Sequence, residues 1–233
     1  MAKPRISAII PTLNEEKNIG RALKALKNQN YEEEYEIIVA DGGSEDKTID
    51  IAKAYADDII IVKEKGIAIG RNAGAKAAKG EILFFVDGDT FLLPDVFEGV
   101  DSAFDNGEIV GVAPRVLPTD SSFKNIFPYW FFYRFSKIST IVGRPMLGGM
   151  CVAYRKDIFD KVGGFDERLK SGEDLDLSFR MARFGKFRLL DDVYAYTSTR
   201  RLDSWGRARY IYKYLKAYLL GKVLDKGEYE AVR

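Results

Sequence analysis

Four short apolar runs, residues 6–11, 36–41, 58–63 and 81–87, are each followed by a stretch with helical spacing, and this alternation constrains the fold more than any other feature. Runs rich in β-branched and aromatic residues, without an alternating polar face, read as strands covered on both sides. Residues 15–28 carry Ile19, Leu23 and Leu26 on one helical face, and residues 46–55 and 68–78 read as the next two helices. Ser44 is expected to cap the second of these and Gly80 to stop the third. Repeated β-α-β units with short loops dictate a mostly parallel sheet with helices on its faces, an α/β fold.

The pattern loosens after residue 90. Helices are expected at 94–104, 155–162, 174–184 and 204–223, and strands at 109–117, 148–154, 187–190 and 193–197. Residues 123–138 are aromatic-rich and fit neither period. No repeat or linker-like stretch divides the chain, so a single domain over residues 1–233 is expected.

Composition narrows the chemistry. The chain has 233 residues, 46% of them hydrophobic, enough for a substantial core. A net charge of +1 provides no global field toward nucleic acid or an anionic surface, so any anion site must be local. The absence of histidine excludes His-based triads, His-ligated zinc and imidazole bases, leaving acid–base work to Asp, Glu, Tyr or Lys. The single cysteine, Cys151, cannot form an intrachain disulfide. With no signal-peptide layout and no apolar run near the roughly 20 residues of a membrane span, a cytoplasmic location is expected.

Three of the early strands end in polar residues that such a sheet brings to one edge, where ligands of open α/β sheets bind. They are Pro11-Thr12-Leu13-Asn14-Glu15, Asp41-Gly42-Gly43-Ser44 and Asp87-Gly88-Asp89. Asp and Gly also favour plain turns, but two carboxylates at a strand tip suit a divalent cation completed by phosphate oxygens. Glycines 70 and 74 flank Arg71 inside a helix, at about 1 kcal/mol each relative to Ala. Either close packing beside a solvated arginine or a ligand contact by Arg71 accounts for them. Ser171-Gly172-Glu173-Asp174 reads both as a capping box and as a source of a general base, with Asp176 and Arg180 as an i,i+4 pair. Arg200 and Arg201 follow a strand and suit anionic oxygens, or stand in a solvated loop. The aromatic segments at 127–135 and 210–220 fit core, a dimer surface, a peripheral membrane contact or a sugar-stacking platform.

Taken in order, the segments ending in Glu15, Ser44 and Asp89, with Gly70 to Gly74, Gly163 to Glu167 and Gly172 to Asp174, resemble family 2 glycosyltransferases of the GT-A fold over residues 6–201. The resemblance implies an inverting transferase that uses a nucleotide-diphosphate sugar with Mg²⁺ or Mn²⁺. It implies a nucleotide-binding half at about residues 1–90 and an acceptor half with a C-terminal helix at about 91–233. Pro11, Thr12, Glu15 and Asp41 match base- and ribose-holding positions, and Arg71 one near the nucleotide. Asp87 matches a ribose or metal contact and Asp89 a metal ligand. Gly148 and Gly149 match the segment beneath the donor sugar, Asp174 the catalytic base with Glu173 as helper, and Arg200 and Arg201 a basic pair after the last strand. The acceptor implied is a saccharide or a polyprenyl phosphate, with contact at the inner face of a membrane and a homodimer among the arrangements left open. The extra metal-ligating histidine of many relatives is absent. Alternatives are a nucleotidyltransferase that makes nucleotide sugars, disfavoured by the lack of a Gly-rich phosphate loop after the first strand, and a non-catalytic binding module.

Overall fold

The computed structural model describes residues 3–64, 66–169 and 171–220. The expected alternation is realised as β1 (Ile6–Thr12), α1 (Ile19–Lys27), β2 (Tyr35–Asp41), α2 (Thr48–Ala52), β3 (Asp58–Ile61), α3 (Ile67–Ala77) and β4 (Ile82–Val86). Then follow β5 (Thr90–Leu92), α4 (Val96–Phe104), β6 (Ile109–Pro118), α5 (Phe123–Ile141), β7 (Cys151–Arg155), α6 (Lys156–Lys161) and α7 (Glu173–Met181). The described chain closes with β8 (Lys186–Thr197), α8 (Arg200–Trp205) and α9 (Arg207–Leu220).

The eight strands of the described residues form one sheet in the order β3-β2-β1-β4-β7-β6-β8-β5. The first half is parallel throughout, as expected. The second half is mixed, because β7 runs antiparallel between β4 and β6 while β8 runs parallel to β6. Apolar clusters fill both faces. Ile6, Ala8 and Ile10 pack with Leu23 of α1 and Phe97 of α4, whereas Ile9 points the other way, toward Ala75 of α3 and Leu177 of α7. A Cβ on Gly74 would stand 2.3 Å from the Ile9 Cγ2, so this helical glycine is there to let α3 lie against β1.

Several local expectations change. Ser44 does not cap α2, whose N-cap is Lys47; the Ser44 hydroxyl donates to Asp41 instead. Gly80 lies beyond the end of α3, and its N–H donates to the Ser7 hydroxyl at an approach that leaves no room for a Cβ. The Gly148–Gly149 segment is a loop before β7, not part of the strand. The two strands expected near residue 190 are one, β8, whose register against β6 shifts between Ala113 and Arg115. The helix expected over 204–223 is split by Gly206 at φ 76°, a conformation that L side chains rarely adopt, and residues 221–223 lie outside the described part. Ser171 makes no capping box, because Gly172 is the N-cap of α7 and no side chain caps it. The expected Asp176–Arg180 pair does form, at 2.7 Å.

Topology carries the site. Thr12 and Asp41 are register partners at the C-terminal ends of β1 and β2, and β4 lies on the other side of β1. Because β7 is antiparallel to β4 with Cys151 opposite Val86, the Gly148–Gly149 loop arrives at the same edge. Thr197, at the end of β8, pairs with Thr90 and leads Arg200 toward Asp89.

Candidate active site

Two guanidinium groups organise the sequence-flagged acids. Arg71 is 3% exposed and reaches from α3 to Glu173 at 2.7 Å, Asp87 at 3.0 Å and the Gly149 carbonyl at 2.8 Å. The Gly149 N–H donates to Asp174 Oδ2 at 2.8 Å, and the Leu175 N–H donates to Oδ1 at 2.8 Å. Arg71, Asp87, Gly149, Glu173 and Asp174 are therefore one connected unit drawn from α3, the tip of β4, the loop before β7 and α7. A Cβ on Gly149 would lie 2.8 Å from the Arg71 guanidinium nitrogens, so this contact requires glycine.

The second unit is centred on Arg200, whose Nη2 bridges Glu15 at 2.7 Å and Asp89 at 2.8 Å. Arg200 and Arg201 occupy the first turn of α8 rather than a solvated loop. Burial works to lower the charge-holding tendency of both arginines, but the facing carboxylates more than offset it and leave each above its ordinary value. Burial pushes the carboxyls of Asp87 and Glu173 up, and the Arg71 charge opposes that shift in each.

A cavity of about 570 Å³ lies between the tips of β1, β2 and β4 and the start of α8. Pro11, Thr12, Glu15, Asp89 and Arg200 are among its walls. A second, largely apolar cavity of about 160 Å³ adjoins it, with Gly148, Gly149, Glu173 and Asp174 on one side and Phe132 and Tyr214 of α5 and α9 on the other. Asp87, Tyr129, Met150 and Arg201 line both. Asp41 stands apart from the other expected residues. Its carboxylate is fully buried and accepts from the Gly43 and Ser44 N–H groups and the Ser44 hydroxyl, shaping the loop behind the larger cavity. Tyr129 and Met150 were not singled out in the sequence. For Tyr129 the signal was the aromatic run itself, one face of which lines the cleft; Met150 had none.

The donor chemistry fits a hard divalent cation in a specific sense. Asp87 and Asp89 each commit one oxygen to an arginine, and among the described residues no hydrogen bond takes the other. Among the described residues no group of three or more acids, cysteines or histidines could enclose a metal. Such a set suits an ion held by one or two carboxylates and completed by phosphate oxygens, as Mg²⁺ commonly is, and does not suit a closed protein cage. Among the described residues, Thr12 Oγ1 and Arg200 Nε, at this cavity, are buried without a hydrogen-bond partner, as expected of groups awaiting a polar ligand.

The sequence profile of glycosyl transferase family 2 matches residues 7–163. The chain belongs to this family. It is 30% identical over 192 residues to the glycosyltransferase AglE of Haloferax volcanii, covering 78% of this chain and 62% of that protein. It is 30% identical over 168 residues to the dolichol-phosphate mannosyltransferase of Pyrococcus furiosus, covering 69% and 45%. The family 2 fold seen here also superposes on the mannosyltransferase PcManGT of Pyrobaculum calidifontis, solved with GDP-Man and Mn²⁺, with a TM-score of 0.73 and 17% identity over 94% of this chain and 63% of that one. The chain spans less than two thirds of the length of each of these relatives. Among the described residues no helix is long and apolar enough to cross a membrane.

Proposed function

We propose that this family 2 chain transfers a sugar, with inversion, from a nucleotide-diphosphate sugar to a saccharide or lipid-linked acceptor. The observation that carries the reading is that the two cavities share Asp87 in their walls, with the arginine-bridged acids in one and Asp174 in the other. The larger cavity takes the nucleotide, with Pro11, Thr12 and Glu15 along its base and ribose side and Asp41 holding the wall. The diphosphate lies toward Asp87 and Asp89, near Arg200 and Arg201.

Asp87 and Asp89 would hold Mg²⁺ or Mn²⁺, which when bound supplies Lewis-acid stabilisation of charge on the diphosphate. PcManGT, solved with GDP-Man and Mn²⁺, supports this assignment by likeness of fold. Arg200 and Arg201 add fixed positive charge where the leaving group develops its own. The Gly148–Gly149 loop forms the floor under the donor sugar. Asp174 has both oxygens anchored by backbone N–H groups, yet each keeps a lone pair free. It accepts the proton of the acceptor hydroxyl as that oxygen bonds to C1 and the C1–phosphate bond breaks, its electron pair leaving with the nucleoside diphosphate. Glu173, tied to Arg71 in the interior, positions this loop instead of moving protons.

A thermal-shift screen of nucleotide sugars with Mg²⁺ and Mn²⁺ identifies the donor, since a ligand that binds the native state alone stabilises it. With that donor, Asp174→Asn should retain nucleotide binding and lose turnover with a hydroxyl acceptor by roughly 10²–10⁴-fold, while a polyprenyl phosphate, already anionic, is affected far less. Full activity of the variant with every acceptor refutes the base. Release of pyrophosphate would identify a nucleotidyltransferase, and donor binding with neither transfer nor hydrolysis a non-catalytic module.

A further inference from the structure

A helix that is apolar all round is ordinarily covered all round. α5 carries aromatic side chains on every side, among polar ones, and its inner face is covered. Tyr133 and Ser136 are buried beneath it, and Phe132 and Phe135 pack edge-on against Tyr214 and Tyr218 of α9. Among the described residues nothing covers its outer face. Phe123, Phe127, Trp130, Arg134, Ile138 and Ile141 are exposed and, at 3.6 residues per turn, fall within an arc of about 80° running the length of the helix. Phe127 stacks on Trp130 at 6.0 Å, so the rings form a continuous exposed surface.

The charges on the same helices have one sign. α5 carries Lys124, Arg134 and Lys137 and no acid; α9 carries Arg207, Arg209, Lys213 and Lys216 and no acid. Of the nearby acids, Asp120 is held by Ser122 and Asn125, Asp191 by Tyr133 and Lys137, and Asp203 by Thr199 and Arg207. Lys124 and Arg134 on α5, and Arg209 and Lys216 on α9, are exposed.

We propose that the outer face of α5 docks on an anionic lipid surface, with its Phe and Trp side chains at headgroup depth and Lys124 and Arg134 against lipid phosphates. Exposed Trp, Phe and long apolar side chains interleaved with Lys and Arg are the composition that partitions into a bilayer interface. Charge separates this occupant from a second copy of the chain. A two-fold contact through this face would bring together two surfaces that each carry Lys124 and Arg134, with no acid on α5 to receive them, whereas anionic headgroups neutralise every cation on it. Binding is peripheral, since among the described residues no helix is long and apolar enough to span a bilayer.

The test is sedimentation of the protein with phosphatidylcholine vesicles, with and without phosphatidylglycerol, at low and high salt. Binding should require phosphatidylglycerol, weaken with salt, and blue-shift a tryptophan emission that Trp130→Phe removes. Lys124→Glu with Arg134→Glu should weaken partitioning by about tenfold or more. Phe123→Ser with Ile141→Ser should weaken it comparably while changing the melting temperature in solution little, because these side chains are 82% and 84% exposed. No sedimentation with anionic vesicles, or sedimentation indifferent to both pairs of substitutions, overturns the proposal. So does a concentration-dependent dimer dissolved by Phe123→Ser in a protein that ignores vesicles, which would make a second copy the occupant. None of these readouts uses donor or acceptor, so they stand or fall separately from the transferase reading.

Discussion

Replacing Arg71 by Met keeps most of the side-chain volume and removes the charge on which the site's geometry depends. The native guanidinium donates to Glu173, Asp87 and the Gly149 carbonyl, and the two carboxylates are only 8% and 25% exposed. Removing one partner of a buried ion pair costs about 3–5 kcal/mol, because the charge left behind is uncompensated. Here two are left, so the upper part of that range is expected at pH 8. The loss is also pH-dependent, with a definite sign. Burial already raises Asp87 and Glu173 above their ordinary values of 3.8 and 4.5, and the Arg71 charge holds them down. Without it they rise further, so the native variant binds more protons than its unfolded chain between those values and the new ones. Its stability is therefore lost as pH rises through the native values and recovered as pH falls toward about 4.5. Urea denaturation of both proteins, followed by circular dichroism from pH 8 downward, should show the gap between them narrowing. Adding Glu173→Gln should return part of the loss at pH 8. A difference under about 1 kcal/mol at pH 8, or one that does not change with pH, refutes the claim that Arg71 is the compensating charge.

Asp89→Ala should weaken nucleotide-sugar binding in the presence of Mn²⁺ much more than in its absence, which calorimetry with and without the ion reads directly. Gly149→Ala brings a Cβ within 2.8 Å of the Arg71 guanidinium; it should lower stability by about 1–3 kcal/mol and displace the loop that anchors Asp174, with turnover falling more than nucleotide affinity. Cys151 is buried and its thiol is pushed well above the ordinary value by burial and the Asp87 charge, so a thiol reagent should label it only after denaturant unfolds the chain.

What the sequence made legible was what short-range pattern encodes. The apolar runs ending at Pro11, Asp41 and Asp87 announced parallel strands with polar tips on one edge, and that edge is where the cleft lies. Arg71 was harder, because its burial depends on Glu173, 102 residues away, and nothing near residue 71 distinguishes a buried guanidinium from a solvated one. Asp191 and Asp192 interrupted the apolar pattern and suggested two strands, where the sheet instead absorbs residues 190–193 in a register shift. β5, three residues at the sheet edge, is too short to show a period. α5 was ambiguous because Pro128 lies inside it and because aromatic residues on every face erase the helical contrast.

The Arg71 contacts join α3, from the first half of the chain, to α7, from the second. A chimaera joining the first 90 residues of this protein to the remainder of a relative would mate a guanidinium with a carboxylate shaped by another lineage. The halves are thus poor candidates for interchange, and attempts to graft a new donor preference onto this scaffold should transplant both helices from the same parent.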